Sequence, residues 1–276
     1  MDNLIGIMQG RLSPSIDGRL QFFPFKTWGE EFKIAKRLGF DAIEWLFSSE
    51  DFKKNPILTT QGIKKIKELT KKHGIKTPSI CGEYFIDFPF VGKSAEKSLE
   101  LLNRLIKQSI KIGAERILLP FLGNSDIKSE RQKKEIIVNL KSCLKTAETH
   151  NVELSLETSL PADELKMFVK KFNSSPISVY YDIGNCTTFF GKNVPNEIKS
   201  LGKLIGGVHI KDRKFGSTVS YSLGTGETDF SGIFRVLKKI NYKRPFILET
   251  ARDSHIADSA LCHKYLEFVK KHLKEV

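Results

Sequence analysis

Four short segments of the sequence each end an apolar run with a residue that can bind a metal ion or transfer a proton. They are SLET with Glu157, YYDIGN with Asp182, VHIKD with His209 and ILET with Glu249. If these side chains meet, three carboxylates and an imidazole lose hydration and repel one another unless a cation joins them. Such an oxygen-rich set suits a divalent ion, with Mn²⁺ or Mg²⁺ favoured and Co²⁺ or Zn²⁺ as alternatives. These residue types therefore predict a metal site, provided that the fold brings them together.

Eight apolar runs of strand character alternate with longer amphipathic stretches from one end of the chain to the other. The predicted strands are residues 4–10, 42–47, 76–82, 116–122, 153–158, 177–182, 206–212 and 244–250. The segment TWGEEFKIAKRLG, residues 27–39, is typical of the helical stretches. Thr27 with Glu30 predicts a capping box at its start, and Gly39 predicts its end.

Alternation of strands and helices predicts a parallel sheet. Eight such units without a linker, and without a GxGxxG after the first strand, favour a closed (β/α)8 TIM barrel over an open doubly wound sheet. Since such barrels run to about 250 residues, one domain over residues 1–276 accounts for the chain. The active site of a barrel lies where its strands end, and the four candidate residues end predicted strands five to eight.

The chain carries 45 Lys and Arg against 32 Asp and Glu, a formal net charge of +13. Its lysine pairs are spread over many helical stretches instead of one cluster, which indicates solvated helix faces. Nucleic acid is therefore not the favoured partner.

The four cysteines lie far apart without a CxxC pair, which indicates reduced thiols in a cytosolic protein. No segment reads as a signal peptide or approaches the roughly 18 apolar residues of a membrane span. We therefore expect a cytoplasmic protein with no membrane partner.

Several motifs together carry a resemblance to a known family. They are GFDAIEW at residues 39–45, LET with Glu157, YYDIGN, HIKDR, LGTGETDF at residues 223–230 and FILET. On these motifs the chain resembles, over nearly its full length, the xylose isomerase-like TIM-barrel superfamily. This sugar phosphate isomerase/epimerase group also includes endonuclease IV and inosose dehydratase.

The resemblance implies that Glu157, Asp182, His209 and Glu249 are the metal ligands. It also implies that Glu157 and Glu249 act as acid and base on opposite faces of the bound sugar. The metal would grip a carbonyl and a neighbouring hydroxyl and make a carbon beside them more acidic. Metal and nearby cations would stabilise the enediolate.

Two positions depart from the pattern of the epimerases in this group. Many of them have a histidine three residues after the strand-six aspartate, where this chain has Asn185. Asparagine can donate a hydrogen bond to a substrate oxygen but cannot shuttle a proton at neutral pH. The epimerases also often have a further glutamate after the strand-five ligand, and Asp163 or Glu164 are the candidates here.

Further residues are expected to line the pocket. Lys211 or Arg213 could hold a phosphate or carboxylate of the substrate. The alternative is an internal salt bridge among Lys211, Asp212 and Arg213, and both arrangements can coexist. Arg11, in the long first loop, and Glu83, at the end of strand three, are expected to contact substrate as well.

The segment LGTGETDFSG, residues 223–232, follows predicted strand seven. Its Gly224 and Gly226 would let the backbone approach a ligand closely, and Asp229 would cap the next helix.

The leading functional hypothesis is a divalent-metal isomerase or epimerase of a sugar or sugar phosphate. A lyase resembling inosose dehydratase needs the same metal and stays open. An apurinic-site endonuclease is less favoured, because only His209 among the histidines ends a strand. A sugar-binding barrel without catalysis is the last alternative. A homodimer or homotetramer would be ordinary for the superfamily.

Overall fold

The computed structural model describes residues 3–173 and 176–275. Eight parallel strands form a closed barrel in which each strand pairs with its neighbours in sequence and β8 pairs with β1. The strands are β1 Ile5–Met8, β2 Ala42–Leu46, β3 Ser79–Cys81, β4 Arg116–Phe121, β5 Glu153–Thr158, β6 Ile177–Asp182, β7 Ile205–Ile210 and β8 Phe246–Leu248. The predicted (β/α)8 TIM barrel is confirmed.

Helices connect the strands and pack around the barrel. They are α1 Trp28–Leu38, α2 Thr60–His73, α3 Tyr84–Asp87, α4 Ala95–Ile112, α5 Glu130–His150, α6 Ala162–Lys170, α7 Ile183–Phe190, α8 Val194–Leu201, α9 Phe230–Lys239 and α10 Asp258–Glu275. Most strand residues are buried because the helices cover one face of the sheet and the barrel interior covers the other.

Helix α1 shows how local sequence sets these elements. Gly39 ends it in the left-handed conformation at a φ of 88°, as predicted. The predicted capping box at its start is wrong. The Thr27 side chain accepts no hydrogen bond from the helix backbone, and its hydroxyl donates instead to Ser13 Oγ at 2.8 Å. The Thr27 hydroxyl therefore binds the first loop and does not cap helix α1.

The four cysteines are free and buried, as their spacing indicated. Across residues 3–173 and 176–275, no helix has both the length and the apolar character needed to cross a bilayer.

Candidate active site at the carboxyl ends of the strands

The structure brings the four predicted metal ligands to one mouth of the barrel. Glu157 lies near the end of β5, Asp182 ends β6, His209 lies near the end of β7, and Glu249 follows β8 directly. Asp182 and His209 are register partners across the β6–β7 pair, so their backbones lie side by side. Parallel pairing thus places residues far apart in sequence within reach of one another.

Three of these residues form a cluster with the geometry of a metal site. One ligand atom from each of Glu157, Asp182 and His209 lies within 4.8 Å of the others. Glu249 lies beside them, with Oε2 2.9 Å from Nδ1 of His209. The structure therefore gathers a three-residue cluster and sets the fourth predicted ligand at its edge.

Two buried atoms of the cluster lack a hydrogen-bond partner of acceptable geometry among the described residues. They are Oδ2 of Asp182 and Nδ1 of His209. These two atoms lie 3.9 Å apart, and each has a charged neighbour at 2.9 Å, Lys211 for Oδ2 and Glu249 for Nδ1, without an aligned hydrogen bond. Two carboxylates and an imidazole are suitable ligands for a divalent cation. The side chains present fit such an ion.

Lys211 extends into the same cluster from the residue directly after β7. Its Nζ lies 2.9 Å from Oδ2 of Asp182 and 2.6 Å from Oε1 of Glu249. The ammonium group thus compensates two buried carboxylates. The alternative of an internal salt bridge with Asp212 and Arg213 does not form within the described residues, because Lys211 pairs with these other acids.

Asp212 is buried and holds the long loop after β7. Its carboxylate accepts backbone hydrogen bonds from Gly224 at 2.8 Å, Gly226 at 2.9 Å and Thr228 at 3.2 Å. A Cβ at position 226 would lie 2.2 Å from Oδ1 of Asp212, so this close approach requires glycine. The amides expected to approach a ligand instead bind Asp212. The predicted cap of helix α9 is present, since Asp229 accepts from the amide of Gly232.

Burial and charge move the pKa values of the two catalytic glutamate candidates in opposite directions. Burial, reinforced by the charge of Asp182, raises the pKa of Glu157 to about 7. Burial also favours the neutral form of Glu249, but the charges of Lys211 and His209 outweigh it and hold its pKa well below the ordinary value. At neutral pH the site therefore offers one ionised carboxylate and one that is partly protonated.

His209 has carboxylates on both sides of its ring. Burial opposes its charge, yet Glu44 and Glu249 outweigh burial and raise its pKa well above the ordinary value. Glu44 lies in the middle of β2 and is fully buried. The pattern of strand ends does not single out Glu44, although this residue lies within the GFDAIEW motif. Its signal in the sequence is a carboxylate inside an otherwise apolar strand.

A cavity of about 220 Å³ opens above the cluster. Six predicted site residues line it, namely Glu83, Glu157, Asn185, Lys211, Arg213 and Glu249. Asn185 Nδ2 donates to Oε1 of Glu157 at 2.7 Å, which fixes that carboxylate. Asp163 and Glu164 do not line this cavity. They lie in the first turn of α6 and pair with Lys166 and Lys133.

Arg11 lies behind the cavity wall and is 1% exposed. Its guanidinium donates to the carbonyl oxygens of Thr250 at 3.0 Å and Leu20 at 2.6 Å, and to Oε1 of Gln21 at 3.0 Å. Its Nη2 also lies 3.8 Å from Oε1 of Glu249. In this arrangement Arg11 holds the first loop over the mouth, while its predicted contact with substrate stays a prediction.

Glu83 lines the cavity and is linked to Arg11 through Gln21. Nε2 of Gln21 donates to its Oε1 at 2.9 Å, and burial raises the pKa of Glu83 to about 7. Arg213 is half-buried at the mouth, and its Nε lacks a hydrogen-bond partner among the described residues. The cavity thus has an acidic wall at Glu83 and a cation at Arg213.

The fold and site define a (β/α)8 barrel with a buried cluster of metal-binding character at its carboxyl-terminal mouth. Residues 32–272 match the family model described as xylose isomerase-like TIM barrel. The chain belongs to this family, which confirms the resemblance of its motifs.

Individual relatives agree with this assignment. The L-ribulose-5-phosphate 3-epimerase UlaE of Escherichia coli O1:K1 / APEC is 24% identical over 260 residues, which cover 89% of each chain. A solved structure of L-ribulose 3-epimerase superimposes with a TM-score of 0.76 at 21% identity, covering 99% of this chain and 95% of that one. The D-allulose 3-epimerase from Methylomonas sp. in complex with D-allulose gives a TM-score of 0.74 at 18% identity, covering 98% of this chain and 97% of that one. At these identities the solved structures establish a shared fold.

Proposed function

We propose that this protein is a divalent-metal-dependent 3-epimerase of a ketose or ketose phosphate. One observation carries the proposal: two buried carboxylates, Glu157 and Glu249, line one cavity and have pKa values shifted in opposite directions. Environments that separate the pKa values of two titratable groups in this way are typical of acid–base pairs. The broader predicted class, a sugar isomerase or epimerase, is confirmed by the relatives.

The chain's own residues account for the proton transfers. Ionised Glu249 accepts the proton from carbon 3 as that C–H bond breaks, and the electron pair delocalises into the neighbouring carbonyl to give an enediolate. Glu157 returns a proton to the opposite face of carbon 3. Asn185 keeps the Glu157 carboxylate in place, and Lys211 contributes positive charge near the enediolate.

The ion would be held by Glu157, Asp182, His209 and Glu249. These oxygen-rich ligands favour Mn²⁺ or Mg²⁺. When bound, the ion would polarise the substrate carbonyl and increase the acidity of the adjacent C–H bond. Three of the four proposed ligands are carboxylates, which suits Mn²⁺ or Mg²⁺ better than Zn²⁺.

Arg213 supports a phosphorylated substrate. Its guanidinium is half-buried, lines the cavity and has an unpaired Nε among the described residues, whereas the charge of Lys211 is already compensated. Guanidinium groups suit phosphate because their donors match its oxygens. L-ribulose 5-phosphate, the substrate named for the UlaE relative, is therefore the first compound to assay.

The test is product analysis on L-ribulose 5-phosphate, L-ribulose and D-allulose, with Mn²⁺ added and with a chelator. We expect the carbon-3 epimer with Mn²⁺, loss of activity on chelation, and at least about a 100-fold lower kcat in Glu249→Gln. Glu31→Gln, which removes a buried carboxylate of α1, is the matched control. A dehydrated product would instead support the lyase, and no turnover or metal dependence would overturn the proposal.

A further inference from the structure

Glu44 contacts the cluster of Glu157, Asp182 and His209 through His209, but it does not line the cavity. Glu44 is fully buried in β2, and its three side-chain partners come from three other strands. Its Oε1 accepts hydrogen bonds from the Ser79 hydroxyl at 2.5 Å and the Tyr180 hydroxyl at 2.7 Å. Its Oε2 lies 2.6 Å from Nε2 of His209. Glu44 therefore connects the imidazole of His209 to the hydroxyls of Ser79 and Tyr180.

These contacts decide which nitrogen of His209 carries a proton. Oε1 of Glu44 already accepts from two hydroxyls, which leaves Oε2 to accept the N–H of Nε2 at 2.6 Å. The other nitrogen, Nδ1, points into the cluster, 3.9 Å from Oδ2 of Asp182 and 2.9 Å from Oε2 of Glu249. When an ion takes the place of the proton on Nδ1, a ring that keeps its proton on Nε2 presents the lone pair of Nδ1 toward that ion.

The ring is also fixed by packing. The Tyr180 and His209 ring centroids are 4.5 Å apart, and the Tyr180 hydroxyl donates to Glu44. A Cβ at Gly207 would lie 2.4 Å from Cε2 of Tyr180, so only glycine leaves room for this ring. Gly207, Tyr180 and Glu44 thus form a single support for His209.

We propose that Glu44 is a positioning residue that holds His209 as the Nε2–H tautomer and presents Nδ1 as a metal ligand. Ser79 and Tyr180 keep Glu44 in the required orientation. This inference rests on the proposed divalent ion, and it adds a residue that would not touch ion or substrate. Removing a hydrogen-bond partner of a ligating histidine typically weakens metal affinity about 10- to 100-fold.

Calorimetric titration of the metal-free protein with Mn²⁺ tests this role without any substrate. We expect Glu44→Gln to raise the Mn²⁺ dissociation constant about 10- to 100-fold. Tyr180→Phe, which keeps the carboxylate but removes one of its donors, should have a smaller effect in the same direction. Glu31→Gln makes the same chemical change at a buried carboxylate of α1 that is hydrogen-bonded to the first loop, and it should bind Mn²⁺ like the wild type.

The tautomer itself is observable by long-range ¹H–¹⁵N NMR of the wild type loaded with diamagnetic Zn²⁺. We expect a protonated Nε2 and a metal-shifted Nδ1. Unchanged Mn²⁺ affinity in folded Glu44→Gln, or Zn²⁺ on Nε2, would overturn the positioning role while leaving the epimerase proposal intact. A wild type that binds neither ion would overturn both proposals. If Glu44→Gln does not fold, Tyr180→Phe and the wild-type spectrum still decide the question.

Discussion

The ammonium group of Lys211 lies 2.6 Å from Oε1 of Glu249, with the lysine side chain only 4% exposed. The same nitrogen lies 2.9 Å from Oδ2 of Asp182, so one cation serves two buried acids. Both acids are also proposed metal ligands. The lysine charge therefore stabilises these two buried acids, and it would compete with the proposed ion for the same oxygens.

Lys211→Met should destabilise the metal-free protein by about 3–5 kcal/mol, because two buried carboxylates lose their cation. Saturating Mn²⁺ should recover much of this loss, since the ion supplies the missing positive charge. Urea unfolding with and without Mn²⁺ measures both effects. Lys214→Met, which removes a cation stacked on Tyr221 outside the cavity, is the control. If Mn²⁺ stabilises the variant and the wild type equally, Lys211 does not compete with the ion for the carboxylate oxygens.

Arg213→Met should raise KM for a ketose phosphate at least about tenfold, because a charge-assisted hydrogen bond to phosphate is lost. KM for the unphosphorylated ketose should change less than about twofold. Steady-state kinetics on the matched pair of substrates measures the difference, again with Lys214→Met as control. An equal rise for both substrates would show that Arg213 does not bind the phosphate.

Asp212→Ala should lower the free energy of unfolding by about 3 kcal/mol, because three backbone amides of residues 224–228 lose a buried charged acceptor. Those amides should exchange with solvent faster than in the wild type. Asp229→Ala, which removes the cap of α9, should cost only about 1 kcal/mol. Hydrogen exchange and denaturant titration test this, and unchanged exchange in the loop would count against the tether.

The buried carboxyl of Glu31 makes stability depend on pH. Burial raises its pKa from 4.5 to about 7, although hydrogen bonds from Gly10, Ser13 and Leu12 oppose the shift. Between these values the folded protein keeps a proton that the unfolded chain releases, so the free energy of unfolding falls as pH rises.

Glu31→Gln removes this dependence. Relative to the variant, the wild type should lose about 2.5 kcal/mol of stability between pH 5 and pH 8. Denaturant unfolding of both proteins at the two pH values measures the difference. If the two proteins keep a constant stability difference across this range, the pKa of Glu31 is not raised.

The fold follows from the sequence because one strong pattern repeats eight times. Two strands, β5 and β6, have the predicted bounds, whereas the predicted 76–82 and 244–250 shrink to Ser79–Cys81 and Phe246–Leu248. A proline, Pro78 or Pro245, stands directly before each paired segment, and because proline has no backbone N–H to donate, the strand begins after it. Thr27 shows a different limit, since its partner Ser13 lies in a loop that no local pattern places.

The site follows from the sequence only in part. Strand ends locate Glu157, Asp182, His209 and Glu249 at one mouth, because parallel strands end at the same edge. The partners of Lys211 depend on side-chain directions across three strands, which a linear pattern does not contain. Glu44 lies mid-strand and not at an end, so a search restricted to strand ends passes over it.

Solvent deuterium incorporation at carbon 3 tests the central claim most directly. The Mn²⁺-loaded protein is incubated with L-ribulose 5-phosphate in D₂O, and ¹H NMR follows the carbon-3 proton together with epimer formation. The account predicts deuterium at carbon 3 in the wild type and exchange at least about 100-fold slower in Glu249→Gln. Epimer formation without deuterium uptake, or undiminished exchange in the variant, would contradict proton transfer through this carboxylate.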